Sequence, residues 1–407
     1  MSKKRILIIG INCWPELTGI GKYTGEMIDW LARHDYEVTA VTAFPYYPQW
    51  KVQQPYTGKM YKKEILQGGK VTIYRCPMYV PSKPSGMKRM IHEASFFISA
   101  FFVVLRLLFK EKHDVVFSMA PPFHLGLLAM FYRLFKKAKI VYHIQDLQID
   151  AAKELKMLKP TWIFSILFGL ERFILNRVDI VSTISEGMRR KVKAKTGGEV
   201  MLFPNWVDVS GCFPVADRHR LKPNWGFLPS DKLVVYSGSI GEKQGLDSVL
   251  RIAAELRSSL DIKFIICGSG PFKPKLEEMA KEMELDNVHF LPLQPNEVFN
   301  DFLNIGDVHL VLQKADASDL VMPSKLTSIL AVGGLALVTA NPGTSLYEVV
   351  SENDMGVVIA PEDEELLKEA IVYCCGNGFV LQRANARAYA TDFLNKDSVL
   401  NAVLNEI

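Results

Sequence analysis

The chain is expected to be an α/β protein built from two doubly wound domains, each a mostly parallel sheet flanked by helices. Three observations predict this. Apolar runs of strand length alternate with amphipathic runs of helix length along the whole chain, as buried parallel strands joined by crossover helices require. The alternation stops once, at 209–231 (VSGCFPVADRHRLKPNWGFLPSD), and then starts again. With 407 residues, the chain is too long for one ordinary core and suits two of about 200 residues each.

Taken in order, the first half carries the strand-like runs RILIIGI, EVTAVTA, VTIYRCP, DVVFSMA, KIVYHIQ, DIVSTIS and VMLFPNW. Helix-like runs fall at 23–33, 87–110, 125–135 and 161–176. Residues 209–231, rich in Pro, Gly and polar side chains, read as a linker. The second half carries KLVVYSGSIG, IKFIICGSG, VHFLPLQ, HLVLQ, LALVTA and VVIA, with helices near 246–258 and 274–284. The expected domains are therefore 1–208 and 232–385, the C-terminal helix 386–407 returning to complete the first. Sheets of this kind bind ligands at the carboxyl ends of their strands, so two such domains would share a cleft.

Composition narrows the class. The chain is 49% hydrophobic and 23% charged, ordinary for a soluble globular protein. Its six cysteines form no CxxC pair and no Cys/His cluster of metal spacing, so free thiols in a reducing, cytoplasmic compartment are expected and no metal site is. MSKKRILIIG passes straight into NCWPEL and reads as a first strand, not a signal peptide. Residues 1–200 hold 31 Lys+Arg against 16 Asp+Glu, a net +15, and residues 201–407 hold 17 against 28, a net −11. No recognition motif supports nucleic acid as partner of the basic half. A membrane surface fits better, because of MKRMIHEASFFISAFFVVLRLLFKEK at 87–112. Its uncharged run, Ala94 to Leu105, falls short of the about 20 residues that span a bilayer. Either a helix lying at the interface, flanked by Lys88, Arg89, Arg106, Lys110 and Lys112, or a buried core helix accounts for it.

Five stretches could carry chemistry. Gly19 and Gly21 fall in the loop after the first strand, where small residues let a ligand approach the backbone. This is not GxGxxG, and no acidic residue ends the second strand, so a nicotinamide cofactor is disfavoured. In YSGSIGEKQGLDSV, Gly238, Gly241 and Gly245 bracket Ser239, Lys243 and Gln244; a lysine in such a loop suits a diphosphate. Gly268 and Gly270 form a further strand–glycine–helix junction. Residues 316–334, DASDLVMPSKLTSILAVGG, place Pro323, Ser324 and Lys325 at the start of a short apolar helix, with Ser324 as its N-cap, Gly333 and Gly334 as its stop, and Asp316 and Asp319 upstream. Three such junctions in one cleft, counting Pro323-Ser324-Lys325, point to a nucleoside diphosphate. VYHIQDLQID sets His143 and Asp146 just after a strand; His143 either faces a reacting sugar or hydrogen-bonds within its own domain.

As a set, PELTGIGKYTGEM, HIQD, ERFILNRVDIVSTISEGM, FPNWVD, YSGSIGEKQGL, CGSGP and PSKLTSILAVGG resemble the GT4 (glycosyltransferase group 1) family of glycosyltransferases with the GT-B fold. Within it they are similar to the WcaI-type fucosyltransferases of colanic acid biosynthesis. The resemblance implies two Rossmann-like domains and a retaining, metal-independent transfer from a nucleotide-sugar. GDP-fucose would be the donor and a lipid-linked (undecaprenyl-diphosphate) saccharide the acceptor, in exopolysaccharide synthesis at the inner face of the cytoplasmic membrane. It also implies site roles. Gly19 and its neighbours would approach the donor phosphates, and His143 the donor sugar. Lys243 would neutralise the leaving diphosphate, and Leu293 and Gln294 would meet the base through their backbone. Ser324 and Lys325 would face nucleotide or phosphate, and Asp319 would meet sugar hydroxyls. The chain departs from the family twice. Ser239 and Gln244 stand where most members have Arg and Lys, and Ser328 stands where the second Glu of E-x7-E binds ribose. A UDP-sugar-dependent transferase of the same fold, a UDP-sugar 2-epimerase and a catalytically inactive partner protein are the alternatives.

Overall fold

The computed structural model describes residues 4–16, 19–83, 85–154, 161–259, 261–315 and 322–407. These form two compact units, residues 1–204 with 403–407, and residues 205–402.

In the first unit eight strands form one sheet among the described residues. They are β1 (Arg5–Ile9), β2 (Glu37–Ala43), β3 (Lys62–Leu66), β4 (Val71–Cys76), β5 (Val115–Ala120), β6 (Lys139–Ile144), β7 (Ile180–Thr183) and β8 (Val200–Leu202). Their order is β3-β4-β2-β1-β5-β6-β7-β8. Every pairing is parallel except β3 with β4, and β3 is an element the sequence pattern conceals: KKEIL lies at an edge, half exposed, with no apolar run to mark it. The order turns at β1, flanked by β2 and β5, so the crevice between the carboxyl ends of β1 and β5 is this sheet's ligand position.

The helices are α1 (Gly19–Arg33), α2 (Gly86–Leu107), α3 (Leu125–Lys136), α4 (Gln148–Glu154), α5 (Thr161–Leu175) and α6 (Glu186–Thr196). In α2, Phe96, Ala100, Val103, Val104 and Leu107 recur at helical spacing and pack into the core with Leu7, Val41 and Val116; burying Phe96 alone contributes about 2 kcal/mol. The opposite face leaves Met87, Met90, Ile91, Ile98, Phe102 and Leu105 exposed. The buried-helix reading therefore holds for one face of this segment, and the other face is apolar and exposed. The whole helix of 22 residues is, by length and composition alone, long and apolar enough to cross a membrane.

The second unit holds six strands in one sheet among the described residues. They are β9 (Lys232–Ser239), β10 (Ile262–Ser269), β11 (Val288–Leu291), β12 (Val308–Val311), β13 (Ala336–Thr339) and β14 (Gly356–Ile359), in the order β11-β10-β9-β12-β13-β14. Its helices are α7 (Leu246–Glu255), α8 (Lys273–Glu282), α9 (Asn296–Asn304), α10 (Lys325–Ala331), α11 (Ser345–Glu352), α12 (Glu364–Gly376), α13 (Val380–Phe393) and α14 (Lys396–Asn405). The order turns at β9, so here the ligand position lies at the carboxyl ends of β9 and β12.

Two boundaries differ from expectation. Residues 209–231 are not a free linker. Lys222 is fully buried, donating to Asp307 Oδ2 at 2.7 Å and to the Asp231 carbonyl, while Arg218 holds the other Asp307 oxygen at 2.9 Å. The polar residues that suggested a linker are thus consumed in a buried ion pair against the second unit. The stretch 386–407, expected with the first domain, divides. Ala386 and Ala390 of α13 pack with Leu330 and Ala331 of α10 in the second unit's core, and only 403–407 join the first unit.

Candidate functional site

At the turning point of the second sheet, β9 ends in Gly238 and Ser239. Gly238 has a φ of +142°, which a side chain would strain, and a Cβ placed there would come within 3.1 Å of the Lys325 Cε. Lys325 reaches this spot from the first residue of α10. Its Nζ lies 3.4 Å from the centre of the Tyr236 ring. That ammonium is buried and has no hydrogen-bond partner among the described residues. Burial lowers its pKa to about 7, because the charged form has lost water and gained no anion. Tyr236 serves both neighbours, its ring under Lys325 and its hydroxyl donating to the Ser239 carbonyl at 2.6 Å.

The position of Lys325 is well determined. Seven residues make a marginal helix by themselves, and α10 is held by burial of Leu326, Ile329 and Leu330. Its C-terminal carbonyls take cations: Arg387 donates to Ala331 at 2.7 Å, and Arg383 to Gly333 at 3.3 Å. Ser324 occupies the N-cap position, yet its side chain makes no cap, contrary to expectation; Thr327 instead donates to the Ser324 carbonyl at 2.9 Å. Ser324 and Pro323 remain half-buried beside Lys325. Ser328 is buried within α10.

Other expected residues prove to be committed to the fold. At Gly268 a Cβ would stand 1.9 Å from the Gly238 carbonyl oxygen, and at Gly270 one would stand 2.0 Å from that of Ile240. These glycines let β9 and β10 lie close rather than clearing space for a ligand. Gln244 accepts from the Gly241 N–H at 3.0 Å, closing its own 3-10 turn. Gln294 donates to the Pro292 carbonyl at 2.9 Å, and Leu293 beside it is half-buried after β11. The side chain of Lys243, and all of Asp316 and Asp319, lie outside the described residues.

In the first unit His143 corrects the sequence reading. It lies within β6 rather than after it and is 1% exposed. It pairs through Nδ1 with Ser182 Oγ at 3.0 Å and packs on Phe203. Burial takes its pKa down to about 3, so it is a neutral core histidine with no face toward a sugar. Gly19 and Gly21 likewise sit in the first turn of α1, not in the loop before it. The room left by the missing Cβ of Gly21 is filled by Glu16, whose Oε2 would lie 2.6 Å from it. Glu16 is itself satisfied, accepting from the Tyr46 and Tyr47 N–H groups at 2.9 Å each and from Asn12 at 2.8 Å.

Over 99% of both chains, the protein is 40% identical to WcaI of Escherichia coli (strain K12), which is named as a colanic acid biosynthesis glycosyl transferase. The family models "Glycosyl transferases group 1" and "Glycosyl transferase 4-like domain" match residues 217–392 and 18–206. The chain belongs to the group 1 glycosyltransferases. Solved structures agree on the fold. Sucrose-phosphate synthase from Thermosynechococcus elongatus superposes with a TM-score of 0.77 at 15% identity, covering 99% of this chain and 98% of that one. Anabaena HepE in complex with UDP-glucose gives 0.69 at 13% identity, covering 99% and 100%. The fold of this glycosyltransferase is therefore GT-B.

In the loop 238–245 Ser239 and Gln244 stand where the resemblance led us to expect Arg and Lys. Lys325 was legible as a candidate, but its geometry was not. Nothing in PSK alone shows that the amine turns back over Tyr236 to the end of β9.

Proposed function

We propose that the protein is a retaining glycosyltransferase that needs no metal and moves a sugar from a nucleotide-sugar onto a lipid-linked saccharide in exopolysaccharide synthesis. The observation that carries this reading is the buried Lys325 amine in the Gly238 cradle at the turning point of the second sheet, which has no hydrogen-bond partner among the described residues. A donor diphosphate placed there supplies the anion that the amine lacks. Charge develops on that diphosphate as the glycosidic bond breaks, so a preorganised ammonium stabilises the transition state more than the ground state. Lys325 thereby takes the part expected of a metal ion or of the missing loop Arg. Lys243 and Asp319 complete the set by position in the sequence. The donor we assign is GDP-fucose, on the likeness to WcaI-type enzymes; UDP-glucose in HepE makes a UDP-sugar the competing assignment.

The protein would work peripherally at the inner face of the cytoplasmic membrane. The support is one surface of the first unit, where Ile98 and Phe102 of α2 and Leu134 and Phe135 of α3 are exposed. Arg106, Lys110 and Lys136 lie in the same segments. An apolar strip bordered by basic residues is the pattern of a helix seated among anionic headgroups, where an undecaprenyl-linked acceptor would be met.

A thermal-shift panel of GDP- and UDP-sugars, followed by transfer of the radiolabelled sugar to a membrane lipid extract, tests the reading. Stabilisation by one base and label in the lipid fraction are expected. A chain that no nucleotide stabilises and that labels no lipid would refute it.

A further inference from the structure

The amino edge of the first sheet, opposite the edge where its ligand position falls, carries a cavity of about 630 Å³. As the crossover between β4 and β5, α2 returns from the carboxyl edge to the amino edge, and its last residue, Leu107, lines one wall. Beyond that point the sheet is left uncovered. The floor is polar: Thr39 of β2 and Thr72 and Tyr74 of β4. Thr39 and Thr72 are partners in the β2–β4 register, so their side chains leave the same face side by side. Neither hydroxyl has a hydrogen-bond partner among the described residues. Lys63 stands opposite Tyr74 in the antiparallel β3–β4 pair, on that same face.

The lining carries four cations, Arg5, Lys63, Lys70 and Lys110, against two carboxylates, Glu37 and Glu111. Both carboxylates are drawn onto Arg5, Glu37 at 2.8 Å and Glu111 in a second ion pair. Lys70 is held by Asp35 at 2.6 Å. Lys63 and Lys110 have no ion pair among the described residues. Lys110 donates to the Tyr74 hydroxyl at 2.8 Å, which anchors its ammonium on the floor and leaves the Tyr74 proton to be donated elsewhere. Two amines without a carboxylate therefore meet three hydroxyls around Tyr74.

We propose that this cavity is an anion site that takes a phosphate ester, with Lys63 and Lys110 on its charged oxygens and Thr39, Thr72 and Tyr74 donating to the same group. A carboxylate offers two oxygens, too few for five donors. A phosphate ester offers three strong acceptors and up to two charges, which two ammoniums match as point charges. Phe109, in the lining and 86% exposed, gives the ester substituent an apolar neighbour. A soluble phosphate ester and a phospholipid headgroup present the same chemistry. The site lies in the other unit from the Lys325 cradle and does not depend on the glycosyltransferase reading.

The test titrates the full chain with sn-glycerol 3-phosphate by calorimetry. In parallel, it is sedimented with phosphatidylcholine vesicles with and without phosphatidylglycerol. Saturable binding of the soluble ester, or of the phosphatidylglycerol vesicles alone, is expected, and which of the two binds identifies the source. Lys63→Met and Lys110→Met should each weaken it about tenfold, and Thr72→Val, which removes a hydroxyl and no charge, about fivefold. Circular dichroism and nucleotide affinity should be retained in all three. Lys88→Met, at the far end of α2, and Lys325→Met should leave it unchanged. Failure of both probes to bind overturns the inference, as does binding that Lys325→Met abolishes. So does binding that Lys88→Met weakens as much as Lys63→Met while Thr72→Val has no effect, the result that diffuse surface charge would give. None of these outcomes bears on nucleotide binding, which is measured separately.

Discussion

Residues 1–200 carry a net charge of +15 and residues 201–407 one of −11, yet each sheet shelters the opposite sign at its carboxyl edge. The basic first unit buries Glu16 and half-buries Glu93 there; the acidic second unit buries the Lys325 amine. Net charge governs what the surface attracts over distance. The sign at the site is fixed by one or two residues whose desolvation the fold tolerates. The two edges also differ in kind. Glu16 is saturated with hydrogen bonds from its own loop, and so acts as a staple. Among the described residues Lys325 has no hydrogen-bond partner and Glu93 has one, the Gln148 amide; an incompletely paired charge is the mark of a ligand position.

Removing the second unit's charge should have the largest effect. Lys325→Met is expected to lower kcat/KM for transfer by about 10²–10³, as loss of a preorganised oxyanion partner does elsewhere. It should weaken nucleoside diphosphates more than the corresponding nucleosides. Near-normal steady-state kinetics in this variant would remove Lys325 from the chemistry and dissolve the contrast.

Glu93→Gln should act on stability in the opposite direction. Because burial raises the carboxyl to about 7, the native state holds a proton between the unfolded pKa and that value which the unfolded chain has released. Stability from this group therefore falls as pH rises through that window and stays low above it. The variant should be more stable than the parent at pH 8, by no more than about 3 kcal/mol, and equal to it at pH 4. Urea titrations at both pH values check this, and an unstabilised variant at pH 8 would show that Glu93 is better paired than its contacts indicate.

The exposed face of α2 comes next. Ile98→Glu with Phe102→Asp should reduce partitioning onto anionic liposomes about thirtyfold, on the loss of roughly 1 kcal/mol of insertion per side chain, while circular dichroism is unchanged. Phe96, fully buried, would unfold the unit instead and is unsuitable as a probe.

The smallest effect is in pH. Lys325, lowered to about 7 by burial, must be protonated to hold a diphosphate. Affinity for GDP or UDP should accordingly decline by up to about tenfold per unit as pH rises above 7. Calorimetry in two buffers of different ionisation enthalpy should register proton uptake on binding near pH 8. A flat profile that matches Lys325→Met would place the titrating group elsewhere.

Much of the fold was legible because it rests on local pattern. Thirteen of the fourteen strands among the described residues coincide with apolar runs readable in the sequence, and β3 escaped because Lys62, Lys63 and Glu64 mask an edge strand. Contacts between distant residues were not legible. Lys222 meets Asp307 across 85 positions, and no composition rule could turn that linker into a packed wall. Glu93 meets Gln148 across 55, so neither was singled out. His143 was misread for a related reason. Whether a histidine ends a strand or lies within it depends on one residue of register, and the register is set by its neighbours β5 and β7.

The close approach of β10 to its sheet neighbour β9 also decides how this enzyme can change. Substitution at 268 or 270 drives a methyl into a carbonyl and should eliminate the protein from any selection, whatever the donor on offer. Ser239, half-buried beside the same loop, has no such constraint. A saturation library read out separately for abundance and for turnover should therefore split this loop sharply. Two positions would fall silent in both readouts, and their neighbour would vary freely in abundance while turnover shifts from one nucleotide-sugar to another.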